Sequence, residues 1–114
     1  GQAGYALDPE SQPDQEAARA LAERMLRKSG DDAEKLRWAI AEATSRELKP
    51  AELVVLQSAL ARERKRYAAN PTAAMQALSV GESLRDNQFP PPEHAAWMQV
   101  ASLILNLSEV VTRN

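Results

Sequence analysis

AAWMQVASLILNLSEVV, residues 95–111, is the most apolar run in a chain that is otherwise polar, and its role decides the fold. Its apolar core is shorter than the roughly 18 to 20 residues a bilayer needs, and Gln99, Asn106 and Glu109 interrupt it, so it is not a membrane span. On a helical wheel the interruptions are ordered. Gln99, Ser102, Asn106, Glu109 and Arg113 recur at spacings of 3, 4, 3 and 4, which makes one narrow polar stripe. Trp97, Val100, Ala101, Leu103, Ile104, Leu105, Leu107, Val110 and Val111 fill most of the remaining circumference. A helix apolar nearly all round is a buried helix. The expected fold is therefore all-α: a compact bundle of four to five helices around a mostly buried C-terminal helix.

The helices that would wrap this hub can be read upstream. Residues 1–13 read as a flexible tail, because Pro9 and Pro13 break any helix in progress. A single domain is expected over 14–114. Asp14 is a plausible N-cap, and Ala18, Leu21, Ala22, Met25 and Leu26 follow the i, i+3, i+4, i+7 rule. Arg19, Glu23 and Arg27 are placed on the outer side, with Glu23 and Arg27 an i, i+4 pair, and Gly30 ends the helix. Asp31 and Asp32 open a second helix with Leu36, Ala39, Ile40 and Ala43 inward, leaving Trp38 almost opposite that face. Pro50 suits the first turn of a third helix, whose stripe is Leu53, Leu56, Leu60 and Tyr67, widened by Val54, Val55 and Ala59. Asn70-Pro71 starts a short fourth helix that stops at Gly81, expected in a left-handed conformation. A proline-stiffened loop then leads to a start near Pro92.

Composition excludes more than it assigns. The chain has 114 residues, one domain's worth, and no cysteine, so it forms no disulfide, zinc ribbon, thiol nucleophile or covalent haem link. Fourteen basic residues against sixteen acidic ones give net −2, with no global pull toward nucleic acid. Phosphate loops, GxSxG elbows and HExxH motifs are absent. No cofactor or metal is expected. The start lacks the basic and apolar regions of a signal peptide and an initiator Met, so a fragment of a longer protein is expected.

Few residues stand out as site candidates. His94, the single histidine, lacks ligand-spaced partners and reads as an exposed first-turn residue. The run RERKRY, 62–67, reads as a solvated helix end, so that reversing the charges of Arg64 and Arg66 should leave stability nearly unchanged. Trp38 is a surface candidate if nothing in the domain covers its indole. Glu82, Ser83, Arg85 and Asp86 form the densest polar group. Either they complete an active site formed elsewhere, or they serve structure, with Glu82 or Asp86 pairing with Arg85 or Arg46 and Ser83 bonding a backbone amide. No catalytic set can be assembled from this loop alone. Convergence of Glu82, Arg85, Asp86 and Glu109 in an open pocket would favour a piece of an enzyme, and a closed network would not.

From Gly81 onward, VGESLRD and PPEHAAWMQVASLILNLSEVVTRN resemble the C-terminal end of a family found in large planctomycete and verrucomicrobial proteins, domain of unknown function 1553. The positions carrying the likeness are Gly81, Glu82, Ser83, Arg85, Asp86, Glu93, Ala96, Trp97, Asn106, Leu107, Glu109, Thr112 and Arg113. EAARALAERML and the corner SRELKPAEL, through Arg46, Pro50, Glu52 and Leu53, are similar too. Ser108 departs from the family's Asp, and TSREL replaces a Leu-Gly-Arg-Pro-Pro-like corner. The resemblance implies a periplasmic or exported multidomain parent of unknown activity, with this chain as its C-terminal domain. On this reading it is a non-catalytic module for docking neighbouring domains or a protein partner. A fragment of an enzyme of carbohydrate or redox chemistry, completed by upstream domains, is the alternative.

Overall fold

The computed structural model describes residues 14–81 and 84–113, the last five of these by backbone alone. Five helices follow in chain order: α1 (Gln15–Arg27), α2 (Asp32–Thr44), α3 (Pro50–Ala69), α4 (Pro71–Leu78) and α5 (Pro91–Arg113). There is no strand among the described residues.

Each of the first four starts where its sequence supplies a partner for the free amides of a first helical turn. The Asp14 side chain accepts from the Glu16 amide at 3.0 Å. Asp31 and Glu34 close a reciprocal capping box at 2.9 Å in both directions. At α3, Pro50 occupies the first position and Glu52 accepts from the Lys49 amide at 3.0 Å. Asn70 caps α4 by accepting from the Ala73 amide at 3.2 Å. Gly81 has φ +66°, as expected, and a Cβ there would also lie 2.3 Å from the Glu16 carboxyl carbon. The backbone region thus favours glycine, while the nearby Glu16 carboxylate is the end of a flexible side chain that can shift. The C-terminal helix begins at Pro91, one residue before the expected start.

The C-terminal helix is the hub. It contacts all four other helices, whose remaining principal contacts join chain neighbours: α1 with α2, α2 with α3, α3 with α4. Its buried residues are His94 to Met98, Val100, Ala101 and Ile104. Around them close Ala18, Leu21, Ala22 and Met25 of α1, Leu36, Ala39 and Ile40 of α2, Leu56, Ala59, Leu60 and Tyr67 of α3, and Ala74 and Leu78 of α4. Ile104 has no exposed surface. Of the polar stripe, Gln99 donates to the Tyr67 hydroxyl at 3.2 Å and Asn106 is exposed, while off the stripe the Ser108 hydroxyl donates to the Ala43 carbonyl at 2.7 Å.

Several expectations are corrected. Val54 and Val55 do not widen the α3 stripe; they are 61% and 63% exposed. At 100° per residue they lie about 130° to either side of the stripe's centre, beyond the reach of a single packed neighbour. Leu103 is exposed because it borders the polar stripe. Arg19 is not on the outer side of α1. It is 4% exposed and donates to the carbonyls of Leu78 at 2.8 Å and Val80 at 3.1 Å, closing the C-terminal end of α4. Arg64 is not a solvated helix end: it joins α3 to Asp32 of α2 and Glu93 of α5. His94 is wholly buried rather than exposed. In each of the last three cases another element supplies a polar partner, and a long or amphipathic side chain can bury its body while its polar end is met.

Candidate functional site

Two regions hold the residues singled out in the sequence. The first is the loop between α4 and α5, of which Glu82 and Ser83 lie outside the described residues. Arg85 and Asp86 are brought together with groups from α1 and α5. The Asp86 carboxylate accepts from Arg27 Nη2 at 2.7 Å and from Gln88 Nε2 at 2.8 Å, while its backbone amide donates to Glu23 Oε2 at 2.9 Å. The Arg27 guanidinium, with Gln88 second, holds the Asp86 carboxyl down to about 2. Glu23 and Arg27 make the expected i, i+4 pair at 3.7 Å.

Asp86 thus pairs with Arg27 instead of with Arg85 or Arg46. Arg85 Nη1 donates to the carbonyls of Phe89 at 3.0 Å and Asp86 at 3.3 Å and to His94 Nδ1 at 3.1 Å. Arginine is always protonated and always a donor, so Nδ1 must be bare and the ring proton sits on Nε2. Nε2 lies 3.3 Å from Glu23 Oε2, close enough for attraction but not aligned for a hydrogen bond. The Phe89 ring meets the imidazole edge-on at 5.8 Å between centroids. Burial pushes the His94 pKa below its ordinary value, and the guanidiniums of Arg85 and Arg19 add to this; Glu23 and the Arg19 backbone oppose it.

Arg46 turns instead to Glu52, with two bonds of 2.8 Å that brace the α2–α3 corner. That pairing, with the Lys49 amide second, holds the Glu52 carboxyl down to about 2 and pushes the Arg46 guanidinium up.

A shallow groove of about 340 Å³ borders the loop, lined by Arg19, Met75, Leu78, Val80, Leu84 and Arg85 among others. Asp86 is not part of its lining, and the Glu109 side chain lies outside the described residues. The described polar groups of the loop therefore pair off in a network instead of opening together onto a pocket. Among the described residues no three of His, Asp or Glu gather as metal ligands, and no helix is long and apolar enough to cross a membrane.

The second region is the face around Trp38. The indole is half-buried, and α1 reaches over it: the Arg24 guanidinium lies 5.1 Å and the Lys28 ammonium 5.0 Å from the ring centroid. Arg24 also pairs with Glu42 at 3.2 Å. Beside the ring a groove of about 490 Å³ runs between Arg37, Trp38, Ala41, Glu47 and Leu48. The domain thus covers part of this aromatic and leaves an edge open.

Sequence reasoning missed Arg19, Arg64 and His94 as structural nodes. The signal lay in periodicity. Arg64 falls between Leu60 and Tyr67 on the α3 stripe, His94 leads the i, i+3, i+4, i+7 series Trp97, Met98 and Ala101, and Arg19 precedes Ala22 by three and Leu26 by seven. The chain matches no family model, no curated protein and no solved structure.

Proposed function

We propose that this chain is a non-catalytic helical module that docks onto neighbouring domains of its parent protein or onto a protein partner. The observation that carries this is the pairing of the loop's Arg85 and Asp86 with Arg27, Glu23 and His94. Groups so engaged anchor a loop rather than wait for a substrate. The surface best suited to docking is the Trp38 face, where an amphipathic aromatic with an open edge adjoins the groove lined by Arg37, Ala41, Glu47 and Leu48. Aromatic and arginine side chains dominate the energetics of protein contacts. The resemblance to domain of unknown function 1553 supports an exported parent in which this module lies at the C-terminal end.

The reading is tested by placing a photo-crosslinking residue at Ala41 or Arg37 in the full-length parent. Cross-links from both positions to another segment of the parent or to a discrete protein are expected, and Trp38→Ala should abolish them while leaving the helical circular dichroism intact. Absence of any cross-link in the folded parent would reject the Trp38 face as a docking surface. Retained cross-links in the folded Trp38→Ala protein would reject the indole as their anchor. An enzyme of carbohydrate or redox chemistry completed by upstream domains is the competing reading. Loss of a parent activity in an Arg85→Lys protein with unaltered stability would favour it.

A further inference from the structure

We propose that the loop between α4 and α5 is held on α1 and α5 by an acid-sensitive latch, in which protonation of His94 expels Arg85 and withdraws Glu23 from the Asp86 amide. The inference goes beyond the docking reading and does not depend on it. Its basis is geometric. His94 has no exposed surface, and its two ring nitrogens face opposite requirements. Nδ1 accepts from Arg85 Nη1 at 3.1 Å, which only an unprotonated nitrogen can do. Nε2 faces Glu23 Oε2 at 3.3 Å, and that same oxygen accepts the Asp86 amide at 2.9 Å.

A proton on Nδ1 turns an acceptor into a second donor aimed at a permanent donor. It also sets two cations against each other inside a covered site, so the Arg85 contact is lost. The same Nη1 holds the Phe89 and Asp86 carbonyls, so those contacts are strained together with it. On the other side the imidazolium attracts Glu23 Oε2 away from the Asp86 amide. One proton therefore acts on two of the points at which the loop is tied, leaving the Asp86–Arg27 pair as the tie it does not reach directly. The ionisable groups acting on the ring are Glu23 and Arg19 of α1 and Arg85 of the loop, with none from α2, α3 or α4 among the described residues. On α5 itself the adjacent Glu93 is turned toward Arg64 and Trp97. Burial and the two guanidiniums place the switching range below the ordinary imidazole value, so the latch is closed at neutral pH and opens in acid.

His94 is the single histidine, so its imidazole resonances can be followed by NMR without ambiguity. The whole chain is titrated from about pH 7 to about pH 4, through and below the imidazole range. The Asp86 amide is read as a protection factor against its intrinsic exchange rate. In the wild type its protection should fall about tenfold or more as His94 titrates, one pKa unit's worth of coupling. His94→Gln keeps an acceptor for Arg85 but cannot take a proton, so its Asp86 protection should stay level over the same range. Arg85→Gln should raise the His94 midpoint by about half a unit or more, since a cation next to the ring is gone. An Asp86 amide that stays protected through the His94 titration would overturn the proposal. So would a level His94 midpoint in Arg85→Gln, or an acid loss retained in His94→Gln. Should His94→Gln not fold, the wild-type titration and Arg85→Gln still decide.

Discussion

Replacing Arg64 by methionine tests the tertiary structure at the point where three helices meet. Arg64 Nη1 and Nη2 donate to the two Asp32 oxygens at 2.7 and 3.2 Å, and Nε and Nη2 donate to Glu93 at 2.6 to 3.1 Å. Its guanidinium also lies 5.7 Å from the centroid of the buried Trp97 ring. The two carboxylates push the guanidinium pKa up, with Glu93 the larger contributor. The side chains of Arg64, Asp32 and Glu93 are 36%, 40% and 34% exposed, so solvent screens each pair. Partly exposed pairs of this kind contribute about 0.5 to 1 kcal/mol each, at the upper end where arginine binds bidentately. The cation–ring contact adds about 0.5 kcal/mol. Methionine keeps the apolar stem, so the expected loss is about 2 kcal/mol. For a domain of this size that lowers Tm by roughly 8 to 15 °C, measured by circular dichroism at low salt. The gap to wild type should narrow at about 1 M salt, where the Debye length is a few ångströms. Arg66→Met is the internal control: its Glu63 partner lies on the same helix, Arg66 is 59% exposed and its guanidinium lies 4.8 Å from the Tyr67 ring centroid, so it should cost about 0.5 to 1 kcal/mol, clearly less than Arg64→Met. An Arg64→Met protein melting within about 2 °C of wild type would mean the three-helix tie contributes nothing, against the magnitude derived from exposed-pair energetics.

Other consequences are equally direct. Ile104→Ala should cost about 2 to 5 kcal/mol in urea unfolding, because the residue is wholly buried at the hub, and Ile104→Asp should leave no cooperative transition. Gly81→Val should cost more than about 1 kcal/mol, since a β-branched residue is forced to φ +66°. Stability should fall with acid in two stages. His94 has a lower pKa in the folded chain, so from the free-imidazole value of 6.5 downward the unfolded state takes the proton first and gains. Glu52 and Asp86, both held to about 2, then remove further stability as the pH drops through their unfolded values of 4.5 and 3.8 toward 2. Denaturant midpoints measured across this range should decline monotonically, and a His94→Gln protein should lack the first stage.

How much of this could be read from the residues differs by element. The helix starts were legible because a cap is local: Asp14, Asp31 and Asn70 each bond an amide two or three residues ahead, within reach of their own side chain. The hub was legible for a different reason. A segment apolar on most of its circumference has nowhere stable to go except inside, and Trp97, Val100 and Ile104 lie there. The left-handed φ of Gly81 belongs with these, although α4 ends earlier, at Leu78, with Ser79 as its C-cap. The candidate loop was legible only as a collection of charges. That Asp86 turns to Arg27 and Arg85 to His94 depends on how the loop lies across α1, and no spacing along the chain encodes that.

The amino-acid order by itself thus determined an all-helical chain, the caps that start three of its helices and the identity of the buried one. Hydrophobic periodicity and capping act over one or two turns, so they survive in one dimension. Tertiary structure alone decided which polar side chains are drawn inward and by what. Arg19, Arg64 and His94 sit on the inward stripes of their helices, and each meets a partner carried on a different element: the Leu78 and Val80 carbonyls, Asp32 and Glu93, and Arg85. A polar group can stay buried when its partner arrives from elsewhere in the chain, and only the packed helices bring those partners within reach.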